Sequence, residues 1–119
     1  MSFSRLLVAP FLGSFLLSGC TLKGPMNVHV LTFEKDIKIL MTNYCFECHG
    51  PEAREAGLDL GTVNLMLAGG ESGPALVPGK PGESLLLDMV SEGHMPPEGE
   101  MLTKEEIDLL DHWISQGAN

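Results

Sequence analysis

The chain has 119 residues, enough for one domain and too few for two, so one site should account for most of it. Its 44% hydrophobic and 19% charged residues exclude general disorder. Seven basic against sixteen acidic residues give a net charge of −9, which excludes binding driven by nucleic-acid phosphates or anionic headgroups and points to basic or neutral partners. The three cysteines form an odd set, so a simple disulfide framework would leave one thiol unexplained.

Residues 1–19 read as an address. Arg5 precedes about 12 mostly apolar residues, and Ser18-Gly19 makes a small-residue exit before Cys20. A permanent membrane helix would need about 20 residues, and this run also contains Pro10 and Gly13. Leu17-Ser18-Gly19-Cys20 resembles the lipobox of bacterial lipoproteins. That resemblance implies cleavage before Cys20, lipidation of Cys20, and a periplasmic or cell-envelope location with the chain anchored to a membrane. Thr21 after the cysteine leans to the outer membrane and leaves inner against outer open. Removal of residues 1–19 takes away Arg5 and no acid, so the mature charge becomes −10. Residues 20–30, with Gly24, Pro25 and Asn27, read as the anchored tether, and residues 31–119 as the folded domain. So small a core gains only a few kcal/mol, and a buried cofactor would supply the missing staple.

Phe33, Ile37, Leu40, Met41 and Tyr44 share one face of a predicted first helix, with Thr32 as its N-cap. This helix leads into Cys45-Phe46-Glu47-Cys48-His49, the Cys-x-x-Cys-His pattern of c-type haem attachment. Two thiols at this spacing reach the two vinyl groups on one porphyrin edge, and the adjacent His49 supplies the proximal iron ligand. A thioredoxin-like dithiol would need a βαβ context, which is lacking. A zinc site would need further ligands near by, whereas His29, His94 and His112 stand singly. A disulfide between Cys45 and Cys48 would close too short a loop to contribute much.

Further along, Leu67 to Glu83 is rich in Gly and Pro and reads as a haem-wall loop; for Leu58, Leu60, Leu76 and Val77 two roles stay open, apolar haem contact, which rests on resemblance to a cytochrome c, and ordinary core packing. Its Gly73 to Lys80 stretch fails as a phosphate loop, because five residues separate the glycines and Pro81 stands where Ser or Thr is needed. A short helix is predicted from Ser84 through Leu85, Leu86, Met89 and Val90. Thr103 and Glu106 form a capping box for a last helix, with Ile107, Leu110, Trp113 and Ile114 on its apolar face and Gly117 as its stop. Trp113 either faces the haem or locks helices together.

Together these motifs resemble the planctomycete-type cytochrome c domain. The matching residues are Phe33-Glu34, Cys45-x-x-Cys48-His49-Gly50-Pro51, Ala56-Gly57-Leu58, Gly69-Gly70, Val77-Pro78-Gly79, Met95-Pro96-Pro97 and Trp113-Ile114. The resemblance implies an all-α, small class I-like cytochrome c fold, in which N- and C-terminal helices pack around one covalent haem c with long Gly/Pro-rich loops. It also supplies Met95 as the distal iron ligand. The setting suits that role, since Gly93 and two prolines bracket Met95 outside regular helix; His94 stays open as an alternative, with a lower potential expected if it ligated. The expected role is a one-electron carrier rather than an enzyme, with a redox partner on another protein, since the chain stops at Asn119. The rival role is a haem sensor or haem enzyme subunit with an open sixth position.

Overall fold

A computed structural model describes residues 28–119. The expected leader, the lipidation site at Cys20 and most of the tether lie outside the described residues. The first helical stretch opens with a wide π-type turn, Phe33–Ile37, and continues as α1, Lys38–Tyr44. Thr32 does not act as the expected side-chain cap. Its own backbone N–H instead donates to the Asp36 carboxylate at 2.7 Å, so an acid in the first turn takes over the job. After a one-residue break at Cys45, α2 spans Phe46–His49.

A loop containing the 3-10 turn Glu55–Gly57 leads to α3, Val63–Ala68, capped by the Thr62 hydroxyl on the Leu65 N–H. The reading of Leu67 to Glu83 as continuous loop therefore starts two residues too early. A single bridge between Gly70 and Gly73 is the nearest approach to a strand among the described residues. A second 3-10 turn, Pro81–Glu83, precedes α4, Leu85–Ser91. Ser84 makes no cap bond. Fully buried, it accepts from the Val77 N–H and donates to the Lys80 carbonyl, stitching the preceding loop to the helix start. The last helix, α5, spans Lys104–Ser115 with the capping box between Thr103 and Glu106 fully formed.

The fold among the described residues is thus helical, and its core lies where the first turn, α4 and α5 meet. Ile37 and Met41 from the first stretch, Leu86, Leu87 and Val90 from α4, and Leu110, Trp113 and Ile114 from α5 are all buried. Burial of each such side chain contributes about 1.5–3 kcal/mol. Trp113 packs against Phe33 with ring centroids 6.1 Å apart. The Asn119 carbonyl accepts from both the Phe33 N–H at 2.7 Å and the Trp113 indole at 3.0 Å. Trp113 therefore locks the two ends of the domain together. The Gln116 side chain adds a second tie, accepting from the Leu31 N–H and donating to the His29 carbonyl. Among the described residues no helix is long and apolar enough to cross a membrane.

Candidate cofactor site

Cys45 and Cys48 are one helical turn apart because the Cys48 and His49 N–H groups both donate to the Cys45 carbonyl. The turn ends abruptly at Gly50, where a Cβ would sit 2.5 Å from the Phe46 carbonyl oxygen, so only glycine lets the chain leave that closely. Both cysteines are free thiols. Burial pushes the Cys45 thiol up to about 11. The Cys48 thiol is also raised, first by desolvation and then by the charges of Glu55 and Glu47. A dithiol built for exchange chemistry has a lowered thiol pKa, so these sulfurs are poorly suited to that use. Nor is there, among the described residues, a group of three or more His, Cys, Asp or Glu side chains placed to hold a metal ion on their own.

The His49 ring is oriented through its Nδ1. Its Nδ1 lies 3.1 Å from the Glu55 backbone oxygen. A carbonyl can only accept, so Nδ1 carries the proton, and in the neutral ring the lone pair is on Nε2. This is the arrangement by which proteins orient a ligating imidazole and raise its basicity. The His49 carbonyl is held as well, accepting from the Leu60 N–H at 2.8 Å.

Cys45, Cys48, His49 and Met95 all line one cavity of about 600 Å³, within the range of cofactor pockets. Its walls are largely apolar, including Leu58, Leu60, Leu86, Val90 and Leu102. Its rim carries Glu47, Glu55, Glu71 and Glu98. Leu76 and Val77, grouped from sequence with the pocket wall, do not line it; Leu76 sits in the helical core. Met95 is held by its backbone N–H on the Met89 carbonyl at 3.0 Å, and the peptide bond to Pro96 is cis. His94 does not line the cavity, and its ring pairs with Glu92 on the exposed surface. His112 is likewise exposed, beside Gln116. A haem with two thioether links and two axial ligands fits this donor set: two free thiols, an imidazole with a free Nε2, a thioether and an apolar enclosure.

Two features of the site had no signal in the sequence. The carbonyl of Glu55 acts through its backbone, which any residue could supply. Arg54 and Ala56 on either side of it adopt left-handed conformations, with φ of 48° and 54°, that glycine would normally announce.

Residues 45–99 match the family model of Planctomycete cytochrome C. The resemblance read from the sequence therefore holds across the attachment motif, α3, α4 and the Met95 loop. No curated protein and no solved structure shows a match to the chain. The family match, with Cys45 and Cys48 inside it, is consistent with one covalently attached haem c and with electron transfer.

Proposed function

We propose that this chain, whose residues 45–99 are of the Planctomycete cytochrome C type, is a membrane-anchored extracytoplasmic one-electron carrier with Met95 as its distal iron ligand. The observation that carries the reading is the sharing of one apolar cavity by Cys45, Cys48, His49 and Met95. Bound haem c supplies a one-electron couple. The protein's own part is to hold the His49 proton on Nδ1, to offer the Met95 thioether from an anchored loop, and to exclude water with leucine and valine side chains. A soft thioether favours the reduced metal and raises the potential. His94 is a poorer candidate, because it is engaged with Glu92 outside the cavity.

The leader and Cys20 support anchoring in the cell envelope by lipid. The acidic rim supports docking to partners with basic faces. Visible spectra of the purified ferric and ferrous protein, with and without carbon monoxide, test the coordination. Wild type should resist carbon monoxide and Met95→Ala should bind it. Ready binding by wild type, with an unchanged spectrum for Met95→Ala, would refute Met95 ligation and favour a ligand-binding haem protein. Metabolic lipid labelling tests the anchor, and label retained in Cys20→Ala would refute it.

A further inference from the structure

We infer that Asp59, acting through Arg54, is a positioning residue for the His49 imidazole. The Asp59 carboxylate is buried, its side chain 6% exposed, although the loop around it is at the surface. A carboxylate out of water is costly unless both oxygens are engaged. Here Oδ2 accepts from Arg54 Nε at 3.0 Å and Oδ1 accepts from the Gly61 N–H at 2.8 Å. Both bonds stay inside the segment that also holds His49.

The register of that segment gives the ion pair its purpose. Glu55 holds the His49 ring and Leu60 holds the His49 carbonyl. Arg54 and Asp59 are the residues immediately before those two, and they are bonded to each other. Arg54 sits at φ 48°, ψ 45°, and Ala56 at φ 54°, ψ 26°. Conformations of this kind crowd a Cβ against the backbone and persist only where the surroundings enforce them. Together they set the direction of the Glu55 carbonyl, which also accepts from the Leu58 N–H. On the far side the enforcement comes from the Glu71 N–H, which donates to the Ala56 carbonyl at 2.8 Å. On the near side the Arg54 N–H donates to the Gly50 carbonyl at 3.2 Å and the Arg54 carbonyl accepts from the Gly57 N–H at 2.9 Å, and the Asp59–Arg54 pair adds the side-chain tie to them. Without that tie the turn keeps its backbone bonds but loses its link to residues 59–61 of the loop, so the Glu55 carbonyl can shift, the Nδ1–H bond lengthens, and the ring becomes less basic at Nε2.

The inference rests on His49 being an iron ligand, and the test separates the two claims. Wild-type holoprotein is first checked for covalent haem; its absence would refute the haem reading itself. Asp59→Asn and Arg54→Met are then prepared as holoproteins. Exchange of the His49 Nδ1 proton with solvent is followed by NMR in the ferrous state, and the midpoint potential is measured. Both variants should exchange roughly tenfold faster, the scale set by losing about one hydrogen bond's worth of restraint. Both potentials should rise. Arg54→Met is the sharper test because loss of a positive charge would by itself lower the potential, so a rise runs against the electrostatic effect and follows the loosened ring. The Arg54 side chain is 57% exposed, so this variant carries the test even if Asp59→Asn fails to fold. Exchange unchanged in Arg54→Met, or a fall in its potential, would overturn the inference.

Discussion

The Tyr44 hydroxyl donates to both carboxylate oxygens of Glu106, each at 3.1 Å, and so ties the end of α1 to the first turn of α5. The same carboxylate accepts from the Thr103 N–H at 2.8 Å as half of the capping box. One acidic side chain thus caps a helix and fixes the residue before Cys45.

This arrangement sets a pH dependence at both ends of the scale. The Glu106 carboxyl is held below the usual range, chiefly by the Thr103 backbone N–H; desolvation opposes this, and the Thr103 and Tyr44 hydroxyls add to the lowering. A group whose folded pKa is lowered contributes stability above its unfolded value, about 4.3, and loses it as pH falls through the folded value. Glu106→Gln should therefore flatten the part of the acid-unfolding curve below about pH 4.3, relative to wild type. Equal slopes in urea titrations of the two proteins over that range would contradict this.

Tyr44 responds with the opposite sign. Its phenol is raised above the ordinary range by desolvation, by the bond to Glu106 and by the charges of Glu106 and Glu100. Its contribution is complete below about pH 10 and is lost as pH rises through the higher folded value. Ultraviolet titration of the phenolate should give a lower midpoint in Glu106→Gln than in wild type. An unmoved midpoint would mean that the hydrogen bond does not control this phenol.

Trp113 carries the closure of the domain. It is fully buried against Phe33 and donates to the Asn119 carbonyl. Trp113→Ala should cost about 3–5 kcal/mol in denaturant unfolding of the holoprotein, whereas Trp113→Phe, which keeps most of the packing, should cost less. Similar losses for the two variants would place the stabilisation in the indole hydrogen bond instead.

How far the sequence disclosed this molecule depended on whether the information lay in side chains. The attachment motif, the capping box at Thr103 and Glu106, and the apolar faces of the first and last helices all follow from residue types at fixed spacing. α3 escaped because six residues are too few to establish a period, and its Thr62 cap stands among loop residues. The Thr32 side-chain cap did not form because the Asp36 carboxylate, one turn on, takes the Thr32 N–H; Ser84 does stand at the start of α4, but its hydroxyl is spent on Val77 and Lys80 in the preceding loop. The turn that grips His49 was hidden because its left-handed residues are Arg54 and Ala56 rather than glycines.

Two glycines on the described surface should behave in opposite ways. A Cβ on Gly70 would lie 2.6 Å from the Ala56 carbonyl oxygen and 3.0 Å from Leu58 Cβ. Gly70→Ala must therefore push back the very turn that presents Glu55 to His49, at about 1–3 kcal/mol. Nothing lies within 4 Å of a Cβ on Gly82, so Gly82→Ala should be within about 0.5 kcal/mol of wild type. Thermal melts of the holoproteins decide the matter, and equal melting temperatures for the two variants would rule out a tight contact at Gly70.

The rim of the cavity should govern how fast electrons enter and leave. Glu47, Glu55, Glu71 and Glu98 line its mouth, and the whole chain is strongly acidic. Charges at such a mouth act over a Debye length, about 10 Å at 0.1 M salt and about 3 Å at 1 M. They therefore steer an approaching cation at low ionic strength and cease to do so at high. In stopped-flow reduction or oxidation, the rate with a cationic redox reagent should fall as salt is raised, and the rate with an anionic one should rise. Glu71→Gln combined with Glu98→Gln should shrink both slopes while leaving the rates at high salt close to wild type. Salt slopes that survive the double substitution would move the docking face away from the cavity mouth.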